Sequence, residues 1–390
     1  MASIGILVVD DSVVIRRMVA TVLGDDPEID VVGTASNGRI ALEKIEQLHP
    51  DIIILDVEMP VMDGLATLRA LRPLYPTLPV VMFSTSTERG AMATLDALAA
   101  GATDYVTKPS NAGSVLASID RVRLDLIPKI KALVGATRAR ATPTIVRQPV
   151  QPPAAPAVVQ QVRLDRVDVL AIGCSTGGPD ALSAIVAALP RDLAVPVLVV
   201  QHMPALFTRL FAERLDRTCP LTVCEAVDGQ VLQEGHLYVA PGEQHLTVHR
   251  EGTDVKVRLT KEPPENYCRP SVDVMFRSVA STFGGGVLAC VLTGMGRDGA
   301  LGAAHIHAAG GHIVVQDEAT SVVWGMPGAI VAAGLADEVV PLNRMAETLK
   351  GAVGAGRRTG APRVIRASAP HAVMPASIAA SSGPRYGGTL

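Results

Sequence analysis

The stretch DIIILDV at residues 51–57 decides the fold, because four consecutive apolar residues, three of them β-branched, run up to an aspartate. Such a run is typical of a strand that is buried on both faces of a sheet. Similar runs occur on either side of it along the chain, separated by segments with helical periodicity: IGILVVD (4–10), VVGTAS (31–36), LPVVMFS (78–84) and ATDYVTK (102–108). Because parallel strands need crossover connections, five strands that alternate with helices predict a doubly wound parallel sheet.

A second α/β section follows a segment of different composition. Residues 135–165 are rich in Pro, Ala, Gln and Val and lack sustained periodicity, which predicts an extended interdomain linker. Further strand candidates follow it: VDVLAIG (167–173), VPVLVVQH (195–202), HLYVAP (236–241), GGVLACVLTG (285–294) and GHIVVQD (311–317). The sequence therefore predicts two α/β domains with doubly wound parallel sheets, at residues 1–134 and 166–350, and a disordered Gly/Ala/Ser/Pro-rich tail at 351–390.

Composition narrows the class of protein. The chain has 390 residues, of which 48% are hydrophobic, so two cores are expected. Its 35 basic and 38 acidic residues give a net charge of -3 without a Lys/Arg-rich block, so nucleic acid is not an expected partner. The sequence begins with a strand rather than a signal peptide and has no apolar run of ~18 residues, which predicts a cytoplasmic protein without membrane insertion. Five cysteines, none spaced as CxxC, predict neither a disulfide framework nor a zinc site.

Charged and polar residues end four of the predicted strands in the first domain. Asp10 and Asp11 end the first strand, Asp56 the third, Ser84 the fourth and Lys108 the fifth. The carboxyl ends of parallel strands meet at one edge of a sheet, so these side chains should converge. Three carboxylates repel one another unless a cation neutralises them, and an oxygen-only set suits Mg²⁺, while a lysine suits a phosphoryl group. A single such aspartate is more often a helix N-cap, but the matching positions favour a phosphoryl site.

This pattern resembles the receiver domain of two-component response regulators over residues 3 to about 125, including LDVEMPVMDG (55–64) and YVTKP (105–109). The resemblance implies that a histidine kinase supplies the phosphoryl group. It also assigns the individual residues: Asp56 as the phosphorylated aspartate, Asp10, Asp11, Asp56 and the main-chain carbonyl of Glu58 as Mg²⁺ ligands, Lys108 as the phosphoryl contact, and Ser84 and Tyr105 as switch residues.

A glycine-rich turn, GCSTGGP at residues 173–179, follows the first strand of the second domain. Its N–H groups at the start of a helix could cradle a phosphate. The same residues match G-x-S-x-G, in which a tight turn presents a serine nucleophile. A purely structural turn is the third interpretation, and the motif alone does not separate the three. The turn lacks the lysine of the G-x-x-x-x-G-K-[ST] nucleotide loop.

Later strand ends supply the other groups that a serine hydrolase needs. His202 lies just past one predicted strand, and Asp298 lies in a glycine-rich loop after another. A serine hydroxyl needs a base, and the imidazole needs a group that orients it, so Ser175, His202 and Asp298 form a candidate catalytic set. The main-chain N–H groups of Met295 and Thr176 are the candidate oxyanion donors. Other candidates for the base and the orienting carboxylate are His236, His245, Asp228, Asp273 and Asp317.

Residues 166 to about 348 resemble the catalytic domain of the chemotaxis protein-glutamate methylesterases. Six motifs occur in the order found in that family: GCSTGGP, QHMP, YVAPGEQH, RPSVDVMF, LTGMGRDGA and WGMPGAI. Cys174 and the pair Tyr267 and Cys268 depart from the family pattern. The resemblance implies hydrolysis of glutamate methyl esters on a chemoreceptor, with release of methanol and no cofactor for that reaction. Some members of the family also deamidate receptor glutamines.

The combined resemblance also implies regulation, in which the unphosphorylated receiver covers the esterase cleft and phosphorylation uncovers it. Two functions from other classes stay open on the sequence alone. One is a response regulator whose second domain binds a nucleotide through the glycine-rich turn. The other is an adaptor that binds receptors without catalysis.

Overall fold

The structure is a computed structural model that describes residues 3–108, 115–141 and 166–356. Most of the predicted linker, from residue 142 to 165, and most of the predicted tail, from residue 357, lie outside the described residues; residues 351–356, assigned to the tail, are helical instead. The two α/β halves pack together into one compact unit. No helix within the described ranges is long and apolar enough to cross a bilayer.

The first half contains the predicted five-stranded sheet, with every strand pair parallel and the order β2-β1-β3-β4-β5. Its strands are β1 (Ile4–Val9), β2 (Ile29–Ala35), β3 (Ile52–Asp56), β4 (Val80–Ser84) and β5 (Asp104–Thr107). Its helices are α1 (Val13–Gly24), α2 (Gly38–Leu48), α3 (Gly64–Leu71), α4 (Glu88–Ala99) and α5 (Val115–Ala141). The prediction of a doubly wound parallel sheet is therefore confirmed for this half.

Local sequence explains where several of these helices begin. The side chains of Ser12, Asn37 and Asp63 accept hydrogen bonds from main-chain N–H groups in the first turns of α1, α2 and α3. Such N-caps satisfy donors that have no partner within the helix. β3 is buried along its whole length, as its apolar run predicts. The strand order reverses between β1 and β3, which places the ends of both strands beside the crevice where ligands bind in such sheets.

Helix α5 is longer than the composition indicates. It continues to Ala141, so the first seven residues assigned to the linker are helical. Leu126, Ile130 and Leu133 are buried against the first sheet at helical spacing. This packing carries the helix beyond the position where the composition changes.

The second half contains a seven-stranded parallel sheet with the order β14-β13-β12-β6-β7-β9-β8. Its strands are β6 (Val169–Cys174), β7 (Val197–Gln201), β8 (Thr222–Glu225), β9 (His236–Val239), β12 (Val287–Val291), β13 (His312–Gln316) and β14 (Glu338–Val340). An antiparallel hairpin of β10 (His245–Glu251) and β11 (Asp254–Thr260), absent from the prediction, lies outside this sheet. The edge strands β8 and β14 are further additions to the predicted set.

The second half has helices α6 (Gly178–Val186), α7 (Ala205–Thr218), α8 (Val272–Phe283), α9 (Ala300–Ala308), α10 (Met326–Ala332) and α11 (Leu342–Gly356). The glycine-rich turn lies at the switch point of the sheet, where the direction of the strand order reverses. β6 lies between β7 and β12, so connections leave it toward both sides of the sheet. A ligand crevice is expected at the carboxyl end of β6, directly before Ser175.

Candidate active site

The charged residues of the first half converge at one sheet edge, as the sequence predicts. Lys108 Nζ lies 2.7 Å from Oδ2 of Asp10 and 2.7 Å from Oδ2 of Asp56. Carboxylate oxygens of Asp10, Asp11 and Asp56 lie within 4.8 Å of one another. Burial raises the pKa of Asp56 to about 6, although Lys108 acts in the opposite direction. The possible metal ligands are all oxygens, and the three negative charges of the carboxylates exceed the single positive charge of Lys108. The cluster therefore fits Mg²⁺.

The side chains of the two predicted switch residues contact other parts of the chain. The Ser84 hydroxyl donates a hydrogen bond to the main-chain oxygen of Gly90 in α4, at 3.0 Å. The Tyr105 ring stacks on Phe207 of α7, with ring centroids 4.5 Å apart and an interplanar angle of 15°. The side chain of Glu58, whose carbonyl is the predicted metal ligand, is exposed. Tyr105 thus links the first half directly to the second.

The turn that carries Ser175 is held by hydrogen bonds on both sides. Ser175 N donates to Thr293 O at 3.1 Å, and the Gln201 side-chain amide donates to Ser175 O at 3.0 Å. Gly177 has φ 73°, a left-handed conformation that favours glycine, and it precedes the first turn of α6. Among the described residues, the half-buried Ser175 hydroxyl has no hydrogen-bond partner. No hydrogen bond within the described residues therefore holds this hydroxyl.

His202 and Asp298 meet beside this turn. Nε2 of His202 lies 2.8 Å from Oδ2 of Asp298, which is 2% exposed. Asp298 also accepts hydrogen bonds from the Asn266 amide, the Ser271 hydroxyl and the main-chain N–H groups of Val272, Asp273 and Gly299. Burial opposes ionisation, but the bonds from His202, Val272 and Ser271 outweigh it and hold the pKa of Asp298 well below its usual range. A buried carboxylate with six donors is fixed in position and ionised.

The second ring nitrogen of His202 is the one that can accept a proton. An ionised Asp298 requires the proton on Nε2, which leaves a lone pair on Nδ1. Nδ1 lies 3.6 Å from Sγ of Cys268. Burial lowers the pKa of His202, but its hydrogen bonds to Asp298 and Cys268 outweigh that effect and raise it.

Both candidate oxyanion residues lie against the first half of the chain. Within the described residues, neither the Thr176 N–H nor the Met295 N–H donates a hydrogen bond. The Thr176 hydroxyl donates to Oδ2 of Asp104 in β5, at 2.9 Å, and both residues are buried. The Met295 side chain packs against the apolar core of the first half. The N–H groups are thus unpaired while their side chains are engaged across the interface.

A cavity of about 320 Å³ lies between the two halves, and His202 is part of its wall. Its walls include His202, Tyr267 and Cys268 from the second half. Tyr105 and Lys129 contribute from the first half. Residues of both halves therefore line this cleft.

Comparison with known proteins gives the family. The family model described as CheB methylesterase matches residues 170–349, and the one described as response regulator receiver domain matches residues 6–120. A protein-glutamate methylesterase/protein-glutamine glutaminase of Nocardioides sp. is 54% identical over 352 residues, covering 88% of this chain and 93% of the relative. The chain belongs to the CheB methylesterase family.

Other members of the CheB family agree with this assignment. A protein-glutamate methylesterase/protein-glutamine glutaminase of Trichodesmium erythraeum is 47% identical, over 90% of this chain and 99% of the relative. The crystal structure of the Thermotoga maritima CheB methylesterase catalytic domain has 40% sequence identity and a TM-score of 0.47, covering 47% of this chain and 98% of that one. By the two matching family models, the first half is a receiver domain and the second a CheB methylesterase domain, and they are named so below.

The alternative histidines and carboxylates of this CheB methylesterase domain are engaged elsewhere. His245 accepts a hydrogen bond from Ser271 N, and His236 contacts the main chain of Glu234. The three carboxylates accept main-chain hydrogen bonds. Asp228 accepts one from Leu259 N, Asp317 one from Thr320 N, and Asp273 one from Gly302 N. Asp273 comes nearest to the site, because Asn266 bridges it to Asp298.

Sequence reasoning missed three residues that support the CheB site. Gln201 holds the Ser175 turn, and Asn266 and Ser271 donate to Asp298. Gln201 and Ser271 fall within the motifs QHMP and RPSVDVMF, so the motifs marked them without giving a role. Asn266 has φ 50°, an unusual conformation for a residue other than glycine. Nothing in its local sequence indicates that its amide reaches Asp298.

Proposed function

We propose that the chain is a phosphorylation-activated protein-glutamate methylesterase in which Ser175 is the nucleophile, His202 the base and Asp298 the group that orients the base. The observation that carries this proposal is the 2.8 Å contact of His202 with a buried Asp298, beside the Ser175 turn of a CheB methylesterase domain. The substrate is a methylated glutamate on the cytoplasmic helical bundle of a chemoreceptor. A cytoplasmic location follows from that substrate.

The reaction proceeds in two steps. Ser175 Oγ attacks the ester carbonyl while Nδ1 of His202 takes its proton and passes it to the departing methanol. Water, activated by the same nitrogen, then hydrolyses the acyl-enzyme. Positioned base catalysis contributes ~10²–10⁴ in rate, and each oxyanion donor ~10²–10³. The unpaired N–H groups of Thr176 and Met295 are suited to that second task.

The same groups also serve glutamine deamidation. A glutamine amide has the same acyl carbon as the methyl ester and gives the same acyl-enzyme, with ammonia as the leaving group. Relatives at 54% and 47% identity are named for both activities. Ammonia release from receptor glutamines is therefore the second proposed activity, and it requires Ser175 as the esterase does.

The receiver domain supplies the control. A histidine kinase would phosphorylate Asp56, and Asp10, Asp11, Asp56 and the carbonyl of Glu58 would hold Mg²⁺. When bound, the cation neutralises phosphoryl oxygens beside carboxylates that would otherwise repel them. Lys108, already 2.7 Å from Asp56, would pair with the phosphoryl group.

Methanol release tests the proposed function directly. The full chain, with Mg²⁺ and a small-molecule phosphodonor, is mixed with membranes that carry methylated chemoreceptors. Release of methanol supports the esterase, whereas receptor binding without methanol identifies an adaptor. A nucleotide titration that saturates at the glycine-rich turn would favour the nucleotide-binding alternative instead.

Docking of the receiver domain is the proposed off state. Across the interface, Arg209 and Arg214 of α7 pair with Glu88 and Asp96 of α4, but the arginines are only half-buried and the acidic residues are exposed, so water screens both pairs. The bond between Thr176 and Asp104 is different, because both residues are buried and Lys129 Nζ holds the same Asp104 oxygen at 2.8 Å. Hydrogen bonds to charged groups contribute about 1.5–3 kcal/mol. This contact is therefore expected to hold the closed state more firmly than the surface pairs.

Asp56→Asn is expected to abolish activation by a phosphodonor, because asparagine cannot accept the phosphoryl group. Coupling between two sites typically changes a response by ~5–150-fold, and we expect stimulation of the parent in this range. Methanol release is measured with and without phosphodonor, with Asp30→Asn, an exposed site in β2, as the matched control. Stimulation of Asp56→Asn equal to the parent's would rule out this coupling.

Asp104→Ala is expected to raise activity in the absence of phosphodonor by ~10-fold, because it removes the acceptor that holds Thr176 to the receiver domain. The stimulation ratio should fall by the same factor. Methanol release without phosphodonor is compared for this variant, the parent and Asp30→Ala. Unchanged basal activity in a folded Asp104→Ala protein would show that this bond does not restrain the cleft.

A further inference from the structure

Cys268 and His202 form a thiol–imidazole pair within the cleft. Sγ of Cys268 lies 3.6 Å from Nδ1 of His202 and 3.4 Å from the main-chain oxygen of Asn266. Cys268 is half-buried and lines the cavity. The ligand atoms of His202, Cys268 and Asp298 all lie within 4.8 Å of one another. The spacing of the cysteines along the chain does not predict this arrangement, since 66 residues separate Cys268 from His202.

The separation of the two atoms matches that of ligands on one zinc ion. Zinc binds imidazole nitrogen at ~2.0–2.1 Å and thiolate sulfur at ~2.3 Å in tetrahedral geometry, which places the two ligands ~3.6 Å apart. The observed distance from Nδ1 to Sγ is 3.6 Å. A metal ion could therefore bridge them without movement of the main chain.

The opposite side of the imidazole is also arranged as in metal sites. A metal-ligating histidine usually donates its other ring N–H to a carboxylate, which fixes its tautomer and orientation. Nε2 of His202 makes this contact to Asp298 at 2.8 Å. The lone pair on Nδ1 then points toward Cys268, and the cavity of about 320 Å³ has room for water as the remaining ligands.

We propose that Nδ1 of His202 and Sγ of Cys268 bind Zn²⁺ or another thiophilic divalent cation, and that this binding inhibits the enzyme. On binding, the Cys268 thiol releases its proton to solvent, and bonds form from the metal to sulfur and nitrogen with no change in oxidation state. The metal occupies the lone pair that accepts the Ser175 proton, so the inhibitory consequence rests on the proposed function. The metal-binding consequence does not.

The chain would then hold two cation sites of different chemistry. The receiver cluster offers carboxylate oxygens, which are hard ligands that suit Mg²⁺. The cleft offers a thiolate and an imidazole, which are soft and borderline ligands that suit zinc. Excess Mg²⁺ should therefore fill the first site and leave the second available.

The test uses the full chain in excess Mg²⁺. Zn²⁺ is titrated into the methanol-release assay for the parent, Cys268→Ser and Cys219→Ser. Cys219 is the control position, because it is a half-buried cysteine at the end of α7. Each activity is expressed relative to the same variant without zinc. Loss of a group that only hydrogen-bonds a metal ligand lowers metal affinity by ~10–100-fold, and loss of a ligand itself should cost at least as much. The zinc concentration that gives half-inhibition should therefore be at least ~10–100-fold higher for Cys268→Ser than for the parent. EDTA should restore the parent.

Co²⁺ absorption reads the same site without any reaction. A thiolate bound to Co²⁺ gives a charge-transfer band in the near ultraviolet, expected for the parent, for Cys219→Ser and for the inactive Ser175→Ala, and absent from Cys268→Ser and Cys268→Ala. A band in Ser175→Ala without methanol release by the parent would reject the esterase and retain the metal site. Equal zinc inhibition of the parent and both folded Cys268 variants, or the same Co²⁺ spectrum in all, would overturn the proposal.

Discussion

Ser175→Ala is expected to lower methanol release from methylated chemoreceptors by ~10⁴-fold or more, to the level of the membranes alone. The hydroxyl forms the acyl-enzyme, and an alanine side chain has no group that could form it. The residual rate would come from binding and the oxyanion donors acting on water. Ammonia release from receptor glutamines should fall with it, because both reactions pass through the same acyl-enzyme.

Ser183→Ala is the matched control for this variant. Ser183 lies in α6, two turns beyond the nucleophile, and its hydroxyl donates to Pro179 O. The same substitution there should leave methanol release close to that of the parent. Substantial methanol release by a folded Ser175→Ala protein would exclude Ser175 as the nucleophile and reopen the choice of site.

Asp298→Asn is expected to lower kcat/KM by ~10³–10⁴-fold, comparable to the loss of the orienting carboxylate in other serine hydrolases. Asparagine removes the negative charge that stabilises the His202 imidazolium. Its side-chain NH₂ is also a donor, so it cannot accept the hydrogen bonds that a carboxylate oxygen accepts from groups such as Val272 N. Methanol release is measured at several pH values, and folding is checked by thermal unfolding.

The pH profile separates an orienting role from a structural one. The base acts when His202 is neutral, so activity rises as pH increases through the pKa of His202. Asp298 raises that pKa in the parent, whereas burial alone lowers it. The acid limb of the profile should therefore move to lower pH in Asp298→Asn. Asp228→Asn is the matched control, since the Asp228 carboxylate accepts a hydrogen bond from the main chain of β11. This substitution should change neither the rate nor the position of the acid limb.

Much of the receiver domain could be predicted because its signals are local. Each buried strand is a short β-branched run, and each functional side chain stands at the end of one, as Asp56 does at the end of β3. In the methylesterase domain the same reasoning found the strands that carry Ser175, His202 and Asp298. It missed β8 and β14, which have only four and three residues at the sheet edges.

Other features depend on contacts between distant parts of the chain. The hairpin of β10 and β11 did have a local signal, since Gly252 with φ 60° forms its turn between alternating runs. No such signal exists for Thr176 and Asp104, which are 72 residues apart, or for Cys268 and His202. Their proximity arises from domain docking and from the path of the loop before α8. Sequence motifs identified the candidate catalytic groups but could not reveal these neighbours.

The shared cavity between the domains has a thermodynamic consequence. Under the proposed function, a docked receiver domain and a receptor helix would compete for the cleft in which Tyr105 and Lys129 stand opposite His202. Linkage requires that two ligands affect each other's binding by the same factor. If a phosphoryl group at Asp56 strengthens receptor binding, then a bound receptor must equally strengthen the hold of Asp56 on a phosphoryl mimic. Under that condition the substrate would be an activating ligand of its own enzyme.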